Sequence, residues 1–97
     1  MSHNPNQILG TFLPDGKRLT GIICTPAFQG RMVFTPDGEN GRLIARINDR
    51  TVGFADPILA EGKAVRWSVS LHPCILPHGF RLDLTLENGV CFLKLAY

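Results

Sequence analysis

FRLDLTLENGVCFLKLAY, running from Phe80 to Tyr97, alternates apolar and polar residues with a period of two. Phe80, Leu82, Leu84 and Leu86 lie on one side, Arg81, Asp83, Thr85 and Glu87 on the other. Asn88-Gly89 follows, a pair that tolerates the positive φ of a two-residue hairpin turn. Folding there places Glu87 opposite Val90, Leu86 opposite Cys91, Leu84 opposite Leu93, Leu82 opposite Leu95 and Phe80 opposite Tyr97. The other face brings Asp83 opposite Lys94, a cross-strand pair of unlike charge. A slip of one residue would break the apolar face, the turn and the charge pair together. Val90 and Phe92 fall on the polar face, so part of that face is expected to be covered.

The same period extends toward the N-terminus. KAVRWSVSL alternates Val65, Trp67, Val69 and Leu71 with Ala64, Arg66, Ser68 and Ser70. RLIARINDRTVGFA reads as a hairpin around Asn48-Asp49, matching Ala45 with Val52 and Leu43 with Phe54. RLTGIIC, RMVFT and QILGTFL are shorter strands. Pro14-Asp15-Gly16 and Pro36-Asp37-Gly38 separate strands with turn chemistry: proline presets the first position, aspartate bonds locally and glycine takes positive φ. One helical turn is expected at Asp56 to Glu61, capped by Asp56, started by Pro57 and ended by Gly62. Seven to eight short strands with such turns predict an all-β fold, an antiparallel sandwich or a small barrel. Residues 1–6 are expected as a flexible tail and 7–97 as one domain.

With 97 residues, 44% hydrophobic and 19% charged, the chain can bury one modest core. A net charge of +2 supplies no strong field toward DNA or an anionic membrane. Cys24, Cys74 and Cys91 are odd in number and widely spaced, which favours a reducing compartment over a disulfide framework. The segment MSHNPNQ lacks the apolar run of a signal peptide, and no stretch is long enough for a membrane helix. The expectation is a soluble cytoplasmic protein.

Three motifs carry a family resemblance. They are Ile8-Leu9-Gly10-Thr11-Phe12, Leu19-Thr20-Gly21-Ile22-Ile23-Cys24-Thr25, and Val69-Ser70-Leu71 followed by Pro73 and Pro77. Together they resemble an uncharacterised bacterial family, the domain-of-unknown-function family seven-three-six, found on plasmids and integrative elements. The resemblance implies a small β protein carried by mobile DNA. It implies no activity and transfers no site residues, and the family's Asp-rich loop is His72-Pro73-Cys74 here.

Chemistry-bearing residues concentrate in LHPCILPHG, Leu71 to Gly79. His72, Cys74 and His78 form H-x-C-x3-H, but a structural zinc site needs four ligands. Cys91 falls on the core face, and His3 lies in the expected tail. A nucleophilic cysteine needs a base and an orienting partner, and no third member is evident. The stretch therefore reads as a connecting loop, with metal binding or a Cys/His-dependent enzyme as the alternatives. No cofactor is expected. Asp37, Glu39 and Asp49 sit in turns.

Arginine supplies seven of the ten basic residues. Arg42 and Arg46 share a strand face, Arg50 follows the next turn, and Arg18 and Arg31 are placed on neighbouring strands. Most rings, Phe12, Phe34, Phe54, Trp67 and Phe80, fall on core faces, leaving Phe28 and Phe92 as possible contacts. The leading expectation is a non-catalytic domain that binds a protein through Arg42, Arg46, Arg50 and Phe28, or through an open sheet edge. On a mobile element, such a domain fits an accessory role or an anti-defence inhibitor, for example an anti-CRISPR protein. The alternative is single-stranded nucleic-acid binding through the arginine face, against which stands the lack of interleaved aromatics.

Overall fold

Every alternating segment is a strand in the computed structural model, which describes residues 8–38, 40–60, 63–77 and 80–96. The eight strands are β1 (Ile8–Asp15), β2 (Arg18–Cys24), β3 (Gln29–Pro36), β4 (Leu43–Ile47), β5 (Arg50–Ala60), β6 (Lys63–Leu71), β7 (Arg81–Glu87) and β8 (Val90–Ala96). Each pairs antiparallel with the next, and β1 pairs with β8, so the sheet closes into a barrel. The all-β fold is as expected, and of the two forms it takes the barrel. Closure gives each strand two neighbours, which removes the open sheet edge expected as a docking surface. Features expected at residues 1–6, Glu39, Glu61, Gly62, His78 and Tyr97, and at the Val65 side chain, lie outside what is described. Among the described residues, no helix is long and apolar enough to cross a membrane.

The β7–β8 hairpin has the expected register, with Leu86 opposite Cys91, Leu84 opposite Leu93 and Leu82 opposite Leu95. Asn88 (φ 53°) and Gly89 (φ 80°) make its turn. Its charges pair differently from expectation. Asp83 faces Lys94 in the ladder, but its carboxylate lies 3.1 Å from Arg66 on β6. Lys94 Nζ instead reaches Glu87, at 2.6 Å. That bond, with a second from Thr85, holds the Glu87 carboxyl below the ordinary carboxylate range. Arg66 is a diagonal neighbour of Asp83, within reach of a long side chain. Glu87 lies four residues along β7 from the direct partner of Lys94 and is met by the extended lysine.

The β4–β5 hairpin departs from its expected register halfway along. Asn48 (φ 51°) and Asp49 (φ 67°) form the turn, and Ile47–Arg50 and Arg46–Thr51 pair as expected. The register then shifts, so that Ala45 faces Gly53, Ile44 faces Phe54 and Leu43 faces Ala55. Val52 is the extra residue of this bulge, and its carbonyl accepts a 2.7 Å hydrogen bond from the His72 amide. The one-residue shift turns Phe54 outward, off the core face assigned to it. Phe80 also leaves that face: it precedes β7 and is 51% exposed.

The helical turn expected from Asp56 is strand instead. Asp56 to Ala60 belong to β5, where Pro57 faces Trp67. The Asp56 carboxylate lies 3.1 Å from Arg42. A charged partner from the β3–β4 connection pairs with the group that would otherwise have capped a helix.

Inside the barrel, size alternates around the wall. Phe12, Ile23, Met32 and Phe34 of β1–β3 are fully buried, while among the described residues the buried positions of β4 and β5 are the small Ala45, Gly53 and Ala55. Leu82, Leu84, Cys91 and Leu93 complete the filling. The Phe12 and Phe34 rings meet edge to face at 5.0 Å. Burial pushes the Cys91 thiol above its ordinary pKa, so it packs as an apolar residue.

A loop stoppers one end of the barrel. At the other end, that of the β3–β4 loop, Trp67 Nε1 donates to the Gly41 carbonyl at 2.9 Å. At the stoppered end, the β6–β7 connection turns inward and buries Ile75 and Leu76 in the core. Thr25, in the β2–β3 connection, fastens it: its buried hydroxyl donates to the Ile75 carbonyl at 2.5 Å and accepts from the Phe28 amide at 3.0 Å. Thr25→Val is expected to cost about 1–3 kcal/mol, because it leaves buried groups without a partner. Urea unfolding measures this, and Thr25→Ser, which keeps the hydroxyl, should recover most of it.

Candidate binding face

Outward positions on β1 to β4 form one continuous surface. Thr11 on β1 faces Ile22 on β2, which faces Arg31 on β3. In the next row Leu13 faces Thr20, Thr20 faces Val33, and Val33 faces Arg46 on β4. Strand alternation sends Phe12, Ile23, Met32 and Ala45 inward, which commits these intervening residues to the outside. Arg31 and Val33 are same-face neighbours on β3, about 7 Å apart along the strand.

The β3–β4 side of this surface is cationic. Arg18, Arg31 and Arg46 surround Val33 and Thr35 in a depression of about 410 Å3, with Asn48 and Asp49 at its edge. Among the described residues, Arg31 and Arg46 have no carboxylate oxygen within 4.0 Å. Arg18 has only a 3.5 Å contact with the exposed Asp15. The neighbours that β2 and β3 present to these arginines are isoleucine, valine and threonine, so among the described residues Arg31 and Arg46 are left without an ion pair.

The β1–β2 side is apolar. Ile22 is 60% exposed and Leu13 56%, although both are large aliphatic residues in regular strands. With Ile8 and Val90 they line a shallow groove of about 530 Å3. Adjacent exposed aliphatics of this kind mark an interaction surface more often than scattered ones do. Leu13 and Ile22 flank the buried Phe12 and Ile23 and so lie outside, a placement not assigned from the sequence, and the β8–β1–β2–β3 register sets them beside the arginines.

The residues expected to bind do not come together. Arg42 stacks on the outward Phe54 ring, 4.3 Å from its centroid, between the carboxylates of Asp37 and Asp56. Its Nε lies 3.1 Å from Asp56 Oδ1 without hydrogen-bond alignment, so the contact is an ion pair only. Arg46 belongs to the face just described. Arg50 and Phe28 line a separate depression at the stoppered end of the barrel. Phe92 is half-buried, with Lys94 Nζ 5.7 Å from its ring centroid.

His72 and Cys74 are both exposed, and His72 Nδ1 accepts the Cys74 amide hydrogen at 3.0 Å. That bond shapes the turn that carries Ile75 inward. Among the described residues, no three His, Cys, Asp or Glu side chains converge as metal ligands would.

A scan of family models, a search of curated proteins and a search of solved structures each return no match. Fold and surface together describe a small closed β-barrel with an aliphatic and arginine-bearing outer wall.

Proposed function

We propose that this protein is a non-catalytic binding module of the cytoplasm that docks a partner protein on the outer wall of β1–β4. The observation that carries this reading is the juxtaposition of Ile22, 60% exposed, with Arg31, a cation lacking a carboxylate partner among the described residues. An aliphatic anchor beside an arginine fork suits a protein segment that offers an apolar side chain flanked by aspartate or glutamate. Single-stranded nucleic acid fits less well. Stacking platforms need open aromatic faces beside the basic groups. Phe54 lies under Arg42, Phe28 is packed against the core, and Phe12 and Phe34 are interior. The family resemblance supplies a setting for the module: an accessory protein of a mobile genetic element, or an inhibitor of a host defence enzyme.

The test compares wild type with Arg31→Glu/Arg46→Glu and with Ile22→Asp. A partner captured from host extract by wild type should bind each variant at least ~100-fold more weakly, about 3 kcal/mol, with urea midpoints unchanged. Equal binding by all three forms would remove this face from the proposal. Titration with single-stranded DNA across salt concentrations checks the other reading. Tight binding with a steep salt slope, lost in the arginine variant, would replace the protein partner with nucleic acid.

A further inference from the structure

At the stoppered end of the barrel, the β4–β5 turn and the β2–β3 and β6–β7 connections border a second, open depression, of about 530 Å3. Its size falls within the roughly 300–1,000 Å3 typical of small-molecule sites. Phe28, Ile47, Val52 and Ile75 line it, and all four pack into or against the core, so its walls are rigid. Arg50 closes one side. It faces Ile47 across the turn made by Asn48 and Asp49, both at positive φ, and among the described residues it has no ion pair. Cys74, exposed, sits on the lining.

From this arrangement we infer a binding site for a small amphipathic monocarboxylate: an apolar body against Phe28, Val52 and Ile75, with its carboxylate on the Arg50 guanidinium. The fork of one arginine matches the two oxygens of one carboxylate. A dianionic phosphate calls for a second cation, and among the described residues no other basic side chain lines the depression. The site adjoins the β1–β4 face at Asn48, and its existence does not depend on that face binding anything.

Cys74 supplies the readout. Alkylation by iodoacetamide, followed peptide by peptide by mass spectrometry, should be slowed about tenfold at Cys74 by saturating octanoate. Cys24, exposed at the end of β2 and outside the lining, should react at an unchanged rate. Octanol, which has the same chain without the charge, should require at least tenfold higher concentration for the same protection. Arg50→Gln should abolish the difference between the two ligands, and amide shifts of Phe28 and Val52 in a heteronuclear NMR titration should follow the same order. The proposal is overturned if octanoate leaves Cys74 alkylation unchanged, if octanol protects equally well in wild type, or if Arg50→Gln retains the preference for octanoate.

Discussion

Gly21→Ala is expected to destabilise the barrel by about 3 kcal/mol, the upper end of the usual cost of overpacking, out of a total of about 5–15 kcal/mol. A Cβ at this position would lie 2.1 Å from the Thr11 carbonyl oxygen, 2.8 Å from the Phe12 ring and 2.9 Å from the Phe12 Cα. Phe12 is the cross-strand partner of Gly21, and its ring fills the space the glycine leaves on the inner wall. The ring could rotate away. The carbonyl could not move without parting β1 from β2, because it belongs to their ladder. Phe12→Ala added to Gly21→Ala should therefore fail to restore stability. The urea midpoint reads the loss, and a change below about 1 kcal/mol would show that the ladder yields where the geometry says it cannot. Gly53 faces the same constraint on the opposite wall, where an added Cβ would lie 2.2 Å from the Ser70 carbonyl oxygen.

Phe34→Ala should remove about 3–5 kcal/mol. Its ring is fully buried and meets Phe12 edge to face, so truncation deletes transferred apolar area and leaves a cavity beside the second ring. The facing positions Ala45, Gly53 and Ala55 are too small to close over it. At roughly 4–8 °C per kcal/mol for a domain of this size, the melting temperature should fall by more than about 10 °C. Phe34→Leu, which keeps most of the volume, should fall by much less; equal losses for the two would place the ring outside the packing argument. Phe34 lies on β3 between Val33 and Thr35 of the binding face. Binding assays on its variants therefore need a stability measurement alongside, since an unfolded wall presents no arginines.

The binding face and the carboxylate depression redistribute the residues on which sequence reasoning converged. Arg46 stays on the wall, Arg50 and Phe28 go to the barrel end, and Arg42 is held by Phe54, Asp37 and Asp56. Val52 is the cause of part of this separation. Its bulge carries Phe54 from the inner to the outer surface, where it becomes the platform for Arg42. The pattern of apolar residues contains no mark for one unpaired position. The nearest signal is Gly53, since a glycine inside a strand often accompanies a bulge or a close backbone approach. The inward turn of the β6–β7 connection had a signal too: Ile75-Leu76, two aliphatics between prolines, in a segment whose histidines and cysteine drew attention first.

Local chemistry was enough to determine most of the strands, the Asp56 to Ala60 part of β5 excepted, and the β7–β8 turn. Period-two alternation and Asn88-Gly89 act over a few residues, and the β7–β8 register follows from them alone. The two Pro-Asp-Gly stretches mark strand ends, but Pro14, Asp15 and Pro36 are paired within β1 and β3, and only Gly16 and Gly38 take the positive φ expected of the turn. Tertiary structure decided what happens between distant segments. Whether the sheet remains a sandwich or closes depends on Phe12 meeting Cys91 and Gly10 meeting Leu93, pairings about 80 residues apart in the chain, which no local period encodes. The candidate face has the same origin. Alternation turns Ile22 and Arg31 outward separately, but only the β2–β3 ladder sets them side by side, because cross-strand neighbours are chosen by register and not by sequence distance.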